Sequence, residues 1–278
     1  MKFGQMIKTA ISAAALSIIA ATTVQADVQQ DLSATSAIEQ IKQRGVLRVG
    51  VSTFVPWAMR DKNGELVGFE IDVAKKLAAD MGVELESVPT AWAGIIPALI
   101  AGKFDVIIGG MSINAERNMT VNFTIPYAHS GQQMAANKKL ADGFTLDDFN
   151  AAGVVLTCRR GAVTCDLAQE RFPNADLRRF DDDAQAFQEV INGNAHAVIA
   201  SEPKPSFSVL ENPDTLFLPS DEPLTQSDEA FALRKGDPDA LNFFSNWILV
   251  NTNNGWLKKT HSYWFKTQEW ADNVGPDQ

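Results

Sequence analysis

Apolar segments alternate with helical patterns along the first half of the chain. Residues 45–51 and 104–108 are mainly apolar and predict buried strands, and residues 83–88 alternate as a half-buried strand does. Between these strands, apolar residues at helical spacing predict helices over 71–81 and 95–100, and a glycine follows the first helix where a C-cap belongs. This order of elements indicates an α/β unit.

The same alternation starts again after Gly153. We predict three further strands and two further helices, with strands over 154–157, 176–180 and 197–200 and helices over 164–172 and 184–191. Strands that alternate with helices indicate parallel sheets, so the predicted fold class is α/β with two units. A later helix begins at Asp237 and Pro238, which are typical of a helix start, and a shorter helix carries Trp256 and Trp264.

The first 26 residues have the layout of a secretion signal. Residues 1–8 carry Lys2 and Lys8 and no acid, and residues 9–22 form a run of apolar and small residues. A membrane anchor is the alternative, but this run is shorter than the roughly 18 residues that a spanning helix needs. We expect cleavage after Ala26 and export of the mature protein to the periplasm.

Composition and charge exclude several classes of protein. A chain of 278 residues that is 45% hydrophobic predicts one large domain or two of ordinary size. The 34 acidic residues outnumber the 24 Lys and Arg residues, and a formal charge of -10 argues against a nucleic-acid partner. The sequence contains no nucleophile elbow, phosphate-binding loop, dinucleotide fingerprint or zinc-protease motif. We expect no cofactor and no bound metal.

Export changes what the two cysteines imply. Cys158 and Cys165 are seven positions apart, and in an oxidising compartment such a pair is typical of a disulfide. The three histidines lie elsewhere in the sequence, which argues against a zinc site at this pair. We therefore expect a disulfide that closes a short loop.

The segment 109–117 combines features of an anion site. A buried strand ends in two glycines, and Ser112 and Asn114 precede a helix with Arg117 in its first turn. Glycines let a ligand approach the backbone, N–H groups at a helix start favour an anion, and arginine can hold a carboxylate through two parallel hydrogen bonds. A structural ion pair of Arg117 on a helix surface is the alternative.

Ordered blocks of sequence then resemble one family. The chain is similar to the polar amino acid family of periplasmic solute-binding proteins, the capture subunits of ABC importers. The matching blocks are residues 45–50, 68–74, 92–99, 102–105, 112–117, 123–127, 233–239 and 263–265. So many blocks in order are more specific than any one motif.

The resemblance implies two lobes, each with a mostly parallel sheet flanked by helices. Two crossover strands would join the lobes, which would close over a ligand at the hinge. Lobe 1 would comprise residues 27–130 and 228–278, and lobe 2 residues 131–227. The implied function is the capture of a small carboxylate-bearing solute, an amino acid or a related zwitterion, by a monomer that delivers it to a membrane permease of an ABC transporter.

The resemblance also implies roles for single residues. Arg117 would hold the ligand's α-carboxylate with the N–H and hydroxyl of Ser112, and Gly110 would offer its carbonyl to the amine. Phe54 and Trp92 match aromatic walls around the ligand's side chain, with core packing as the alternative. A glycine-led loop of lobe 2 would meet the carboxylate at a helix start, with simple capping as the alternative. The predicted ligand-binding residues are Phe54, Trp92, Gly110, Met111, Ser112, Arg117, Arg160, Ala162, Val163, Thr164 and Glu202.

Three departures from the family pattern concern the identity of the ligand. Ser201 stands where an aspartate often pairs with the ligand's ammonium, so either the following Glu202 replaces it or the ligand lacks an ordinary ammonium. Val51 replaces the acid of binders of basic amino acids, which disfavours a lysine or arginine ligand. Arg159 and Arg160 on the lobe 2 loop are candidates to recognise an acidic side chain, with solvated loop cations as the alternative.

Other ligands and other functions stay open at this point. Phe54, Trp57 and Trp92 together also suit a neutral, aromatic or N-alkylated zwitterion, because aromatic faces attract a quaternary ammonium. The same fold hosts periplasmic dehydratases of cyclic carboxylates, for which Glu202 is the candidate general acid or base. A ligand-sensing module for a membrane receptor is a third reading.

Overall fold

The computed structural model describes residues 36–274, so the predicted signal segment lies outside the described residues. A first sheet has the strand order β4-β1-β5-β13-β6. Its strands are β1 (Val46–Val51), β4 (Glu84–Pro89), β5 (Val106–Ile107), β6 (Asn122–Phe123) and β13 (Ala232–Leu233). β1 is parallel to β4 and β5, whereas β13 is antiparallel to β5 and β6. A separate antiparallel pair joins β2 (Met59–Arg60) to β3 (Leu66–Val67).

A second sheet has the order β11-β7-β10-β8-β9, with β12 also paired to β7. Its strands are β7 (Ala128–Asn137), β8 (Val155–Arg159), β9 (Asp176–Phe180), β10 (Ala197–Ser201), β11 (Leu216–Phe217) and β12 (Thr225–Glu229). β8 is parallel to β9 and β10, and β7 is antiparallel to its neighbours. The α/β class with two sheets is confirmed. Both sheets are mixed rather than mostly parallel, because β13 is antiparallel to its neighbours in the first sheet and β7 is antiparallel to three strands in the second.

Helices pack against both sheets. They are α1 (Ala37–Arg44), α2 (Phe69–Met81), α3 (Ile95–Ile100), α4 (Ala115–Asn118), α5 (Val163–Arg171), α6 (Asp183–Ile191), α7 (Lys204–Glu211), α8 (Pro238–Asn253) and α9 (Trp256–Lys266). Short 3-10 turns cover Trp92–Gly94, Leu146–Phe149 and Ala271–Asn273. Across residues 36–274, no helix is both long enough and apolar enough to cross a membrane.

Each sheet has its own apolar core, as two units require. Around the first sheet, Leu47, Phe69 and Leu77 are buried in a cluster that also takes in the C-terminal helices. Around the second sheet, Leu156 and Phe149 belong to a different cluster. Because removing apolar area from water stabilises the fold by roughly 25 cal/mol per Å², each cluster stabilises its own sheet.

β7 and β12 run side by side where the chain passes between the two sheets. They pair antiparallel from Ala128 opposite Glu229 to Gln132 opposite Thr225. The predicted lobe boundaries, at 130/131 and 227/228, fall inside this paired segment. The division into two lobes at these residues stays a prediction, and the pairing supports it because the chain crosses between the sheets there twice.

Candidate functional site

Gly110 lies against two aromatic rings at the end of the first sheet. Its φ of +60° is a left-handed conformation, and a Cβ added there would lie 2.7 Å from Phe54 Cζ and 3.0 Å from Trp57 Cε3. Phe54 stacks on Trp57 with ring centroids 5.5 Å apart and ring planes 17° apart. A side chain at position 110 would displace this stack, so glycine is required both for the turn and for the close packing.

Arg117 reaches from the first sheet towards the second. The Asn114 side chain caps α4 by accepting from the Arg117 backbone N–H at 2.8 Å, which fixes where the arginine leaves the helix. Its Nη1 donates to the carbonyl of Ser112 at 3.0 Å, and its Nη2 donates to the carbonyl of Gly161 at 3.2 Å. The guanidinium is therefore held in one orientation at the mouth of the cleft between the sheets.

The backbone of Ser112 faces the same way. Ser112 forms an antiparallel bridge with Glu229, and the bridging hydrogen bonds run from Ala230 N to Met111 O and from Ile113 N to Asp228 O. In this pattern the N–H and C=O of Ser112 itself point to the opposite side. Its C=O accepts from Arg117 on that side, so its N–H is directed there as well.

A loop from the second sheet closes the cleft. The carbonyl of Gly161 accepts from Trp92 Nε1 at 3.0 Å as well as from Arg117. Ala162 packs in one apolar cluster with Trp92 and Met111, which belong to the first-sheet side. Trp57 Nε1 also donates across the cleft to the carbonyl of Glu202 at 3.2 Å. The structure thus shows the two sides in contact.

The same loop leads into α5. Ala162 occupies the N-cap position without a side-chain cap, and Val163 and Thr164 open the helix, with Thr164 buried. Thr164 therefore does not cap this helix. The predicted disulfide between Cys158 and Cys165 is present, with 5.4 Å between the two Cα atoms, and joins the end of β8 to the first turn of α5. The loop that carries Gly161 is closed covalently at both ends.

The two arginines of this loop have opposite placements. Arg159, the last residue of β8, is 5% exposed, and its Cζ lies 4.7 Å from the ring centroids of both Phe54 and Trp92. Arg160 points outward with a side chain that is 53% exposed, and its Nε lies 3.0 Å from Asp181 Oδ1. Arg160 belongs to the predicted ligand-binding set, whereas the structure brings Arg159 to the aromatic walls.

Both faces of β8 are buried, since Leu156, Thr157 and Cys158 are all enclosed, so strand alternation alone does not separate these two residues. What separates them is the end of the strand, because Arg159 is its last residue. Arg160 follows the last strand residue and turns away. The sequence prediction of this strand stopped at residue 157, two residues before its end in the structure.

The residues at the expected ammonium position lie close to the crossing strands. Ser201 ends β10, and Glu202 follows it. A Cβ added to Gly131 on β7 would lie 2.6 Å from Glu202 Oε2, so this carboxylate packs against β7. Burial, and then repulsion by Glu222, raise the pKa of Glu202 above its ordinary value.

Two buried acids, Glu70 and Glu229, lie under the site and are not among the residues predicted from the sequence. Tyr127 Oη donates to Glu70 Oε1 at 2.5 Å and accepts from the N–H of Gly110 at 3.1 Å. Burial, opposed by this hydrogen bond, raises the pKa of Glu70 to about 8. Burial also raises the pKa of Glu229 to about 7, against the hydrogen bonds from Ser227 and Ser130. From the sequence alone, acids at such positions are expected on the surface, and only the fold shows that they are buried.

Burial lowers the pKa of Arg117 below its ordinary value, Asp166 opposes this effect, and repulsion by Arg159 adds to it. Two guanidiniums therefore share the cleft. Within residues 36–274, no group of three or more His, Cys, Asp or Glu side chains is arranged to hold a metal ion. The site thus combines two guanidiniums with the rings of Phe54 and Trp92.

Comparison with known proteins places this geometry in a family. Residues 47–267 match the family described as bacterial extracellular solute-binding proteins, family 3. The chain belongs to this family. It is 29% identical to the L-cystine-binding protein TcyJ of Escherichia coli (strain K12) over 90% of this chain and 92% of that protein.

Two further relatives bear on the function of this family member. The cyclohexadienyl dehydratase of Pseudomonas aeruginosa is 24% identical over 91% of this chain and 92% of that protein. A solved structure, described as the binding component of an ABC transporter from Wolinella succinogenes in complex with lysine, is 37% identical with a TM-score of 0.77. It covers 82% of this chain and 99% of that one. The fold is that of a two-sheet periplasmic binding protein, and similar chains bind amino acids.

Proposed function

We propose that this protein captures a carboxylate-bearing amino acid or a related zwitterion in the periplasm and delivers it to the permease of an ABC importer. The observation that carries the proposal is the fixed guanidinium of Arg117 at the mouth of the cleft. Beside it lie the inward-facing N–H of Ser112 and the uncapped start of α5. These donors converge as a carboxylate requires.

The contacts across the cleft supply the mechanism. The ligand meets Arg117 on lobe 1 first, and closure then brings the Gly161 loop of lobe 2 over it. Trp92 and Arg117 both donate to the Gly161 carbonyl, so the same residues that bind the solute also hold the closed form. A ligand that contacts both lobes shifts the population towards this form, which the permease recognises.

We also propose that the protein binds its solute without turnover, as a monomer. Glu202, the candidate general acid of a dehydratase, packs against β7 and lies near Glu222. The cystine-binding and lysine-bound relatives support binding. The dehydratase relative identifies the reaction that must be tested as the alternative. Incubation with prephenate, followed by ultraviolet absorbance, is expected to show no conversion.

The test of the proposed function is Arg117→Ala. A thermal-shift screen of amino acids identifies a solute that raises the melting temperature, because a ligand of the native state stabilises that state. We expect the substitution to weaken calorimetric affinity for this solute at least a hundredfold, since a carboxylate in the cleft loses its paired charge. The circular dichroism spectrum should not change. Unchanged affinity in the variant would refute the role of Arg117.

A further inference from the structure

The slot between the aromatic walls already holds a cation of the protein itself. The guanidinium of Arg159 lies 4.7 Å from the ring centroids of both Phe54 and Trp92. The resemblance to the family predicts the ligand's side chain between these walls. A lysine or arginine side chain entering there would meet a like charge in a buried place, which is costly.

The hydrogen-bonding groups of Arg159 are incompletely used. Its Nη1 lies 3.3 Å from Asp183 Oδ2, so one carboxylate is close enough to offset the charge. Among the residues that the structure describes, however, neither Nε nor Nη1 makes a hydrogen bond, although both atoms are buried. Buried donors without acceptors are unfavourable, so the site favours a ligand that brings an acceptor.

A cavity of about 300 Å³ lies near Arg159, between the two sides of the cleft. Phe54 and Asp183, two of the residues that contact Arg159, are on its wall. Asp182, Arg60 and Lys204 line it as well, so its charged groups balance. Arg159 and Arg117 add positive charge to the cleft and repel one another, and Asp166 offsets part of this charge at Arg117.

The cleft offers fewer partners to the ammonium group of an amino acid. Ser201 is neutral at the position where the family pattern places an aspartate for the ammonium, and Glu202 packs against β7. A solute with two anionic groups therefore matches this cleft better than a solute with a cationic side chain.

We propose that Arg159 binds a second anionic group of the ligand, so that the solute of this protein carries two carboxylates. Arg117 holds the first carboxylate, as in the proposed function on which this inference rests. Arg159 closes down with lobe 2 onto the second one and excludes cationic side chains from the aromatic slot. Acidic amino acids and dicarboxylates without an amine share this chemistry.

The test compares ligands of different charge on the mature chain by calorimetry, after unfolding and refolding to remove any solute that copurified. The probes are L-glutamate, succinate, L-glutamine and L-arginine. We expect wild type to bind L-glutamate or succinate at least tenfold more tightly than L-glutamine or L-arginine. Preference between the first two shows whether the solute is an amino acid or a plain dicarboxylate.

Variants of adjacent residues isolate the role of Arg159. Arg159→Ala should weaken binding of the preferred acidic probe tenfold to a hundredfold and allow L-arginine to bind, since the emptied slot then offers two aromatic faces to a cation. Arg159→Lys keeps the charge but lacks the planar guanidinium, so its affinity for the acidic probe should fall less. Arg160→Ala on the same loop is the matched control and should stay within twofold of wild type.

Two results would overturn the inference and leave the proposed function intact: tighter binding of L-glutamine or L-arginine than of both acidic probes, or Arg159→Ala affinity for the acidic probe within twofold of wild type. Failure of these four probes and of every amino acid in the thermal-shift screen to bind would contradict the proposed function itself, and the inference would fall with it.

Discussion

Different interactions hold the two sides of the cleft in shape. On the first-sheet side, Gly110 is enclosed by Phe54 and Trp57, and Tyr127 joins it to the buried Glu70. On the second-sheet side, Arg159, Gly161 and Ala162 stand on one short loop closed by a disulfide. Packing therefore fixes the first side, whereas the covalent chain fixes the second. Substitutions that change packing should therefore affect the first side, and substitutions that remove the disulfide should affect the second.

The largest expected difference lies between two glycines. Gly110→Ala forces a Cβ to within 2.7 Å of Phe54 Cζ at a φ of +60°. Overpacking and the left-handed conformation together should cost roughly 3 kcal/mol of unfolding free energy. Gly161→Ala has a similar φ of +75°, but its Cβ would lie 3.4 Å from Ala93 Cα, an ordinary contact.

Gly161→Ala is the matched control for this substitution, because it introduces the same methyl group at the same type of backbone position. We expect it to cost only about 1 kcal/mol, the price of the left-handed conformation alone. Urea denaturation of both variants and of wild type measures the two losses. Equal losses would mean that packing does not distinguish the two sides.

The sequence predicted the elements whose signals are local. The left-handed Gly82 ends α2, and the Asp237 side chain caps α8 by accepting from the N–H of Ala240, as their positions in the sequence indicated. Apolar runs marked the parallel strands at the centre of each sheet. These features depend on residues near one another in the chain, so a sequence shows them directly.

The crossing strands could not be predicted in the same way. β7 and β12 carry polar residues such as Gln132, Gln133 and Ser227, so they have neither an apolar run nor an alternating pattern. Gln132 and Gln133 are buried because the two strands pair with each other and with the second sheet. The burial of Glu70 and Glu229 likewise depends on contacts between distant segments. Such burial is a property of the whole fold.

Removal of the disulfide should act on the second-sheet side alone. The double substitution Cys158→Ser, Cys165→Ser should lower the free energy of unfolding by about 2–3 kcal/mol, because the unfolded chain regains the freedom of a short closed loop. Solute affinity should fall as well, because Arg159 and Gly161 lie within that loop.

Urea denaturation and calorimetry measure these two effects of disulfide removal. Dithiothreitol is the control. It should lower the unfolding free energy and the solute affinity of wild type, and it should have no effect on the double variant. A variant that loses stability but keeps wild-type affinity would show that the loop holds its binding shape without the disulfide.

The smallest expected effect is a pH dependence on the first-sheet side. Glu70 has a pKa of about 8 in the folded protein against an ordinary value of 4.5, chiefly because burial disfavours its charged form. Between these two values the folded state keeps a proton that the unfolded state has lost. Stability from this group is therefore complete below about pH 4.5 and is lost as the pH rises towards 8.

Glu70→Gln removes this dependence while it keeps the size and shape of the protonated acid. Between pH 6 and pH 7 we expect the unfolding free energy of wild type to fall by about 1.4 kcal/mol more than that of the variant, the change for one proton per pH unit. Urea denaturation at the two pH values measures the difference. The exposed Glu84→Gln on β4 should keep the wild-type dependence. If Glu70→Gln also keeps it, then Glu70 is ionised in the folded protein, and the first side of the cleft holds a buried charge in place of a neutral hydrogen-bonded pair.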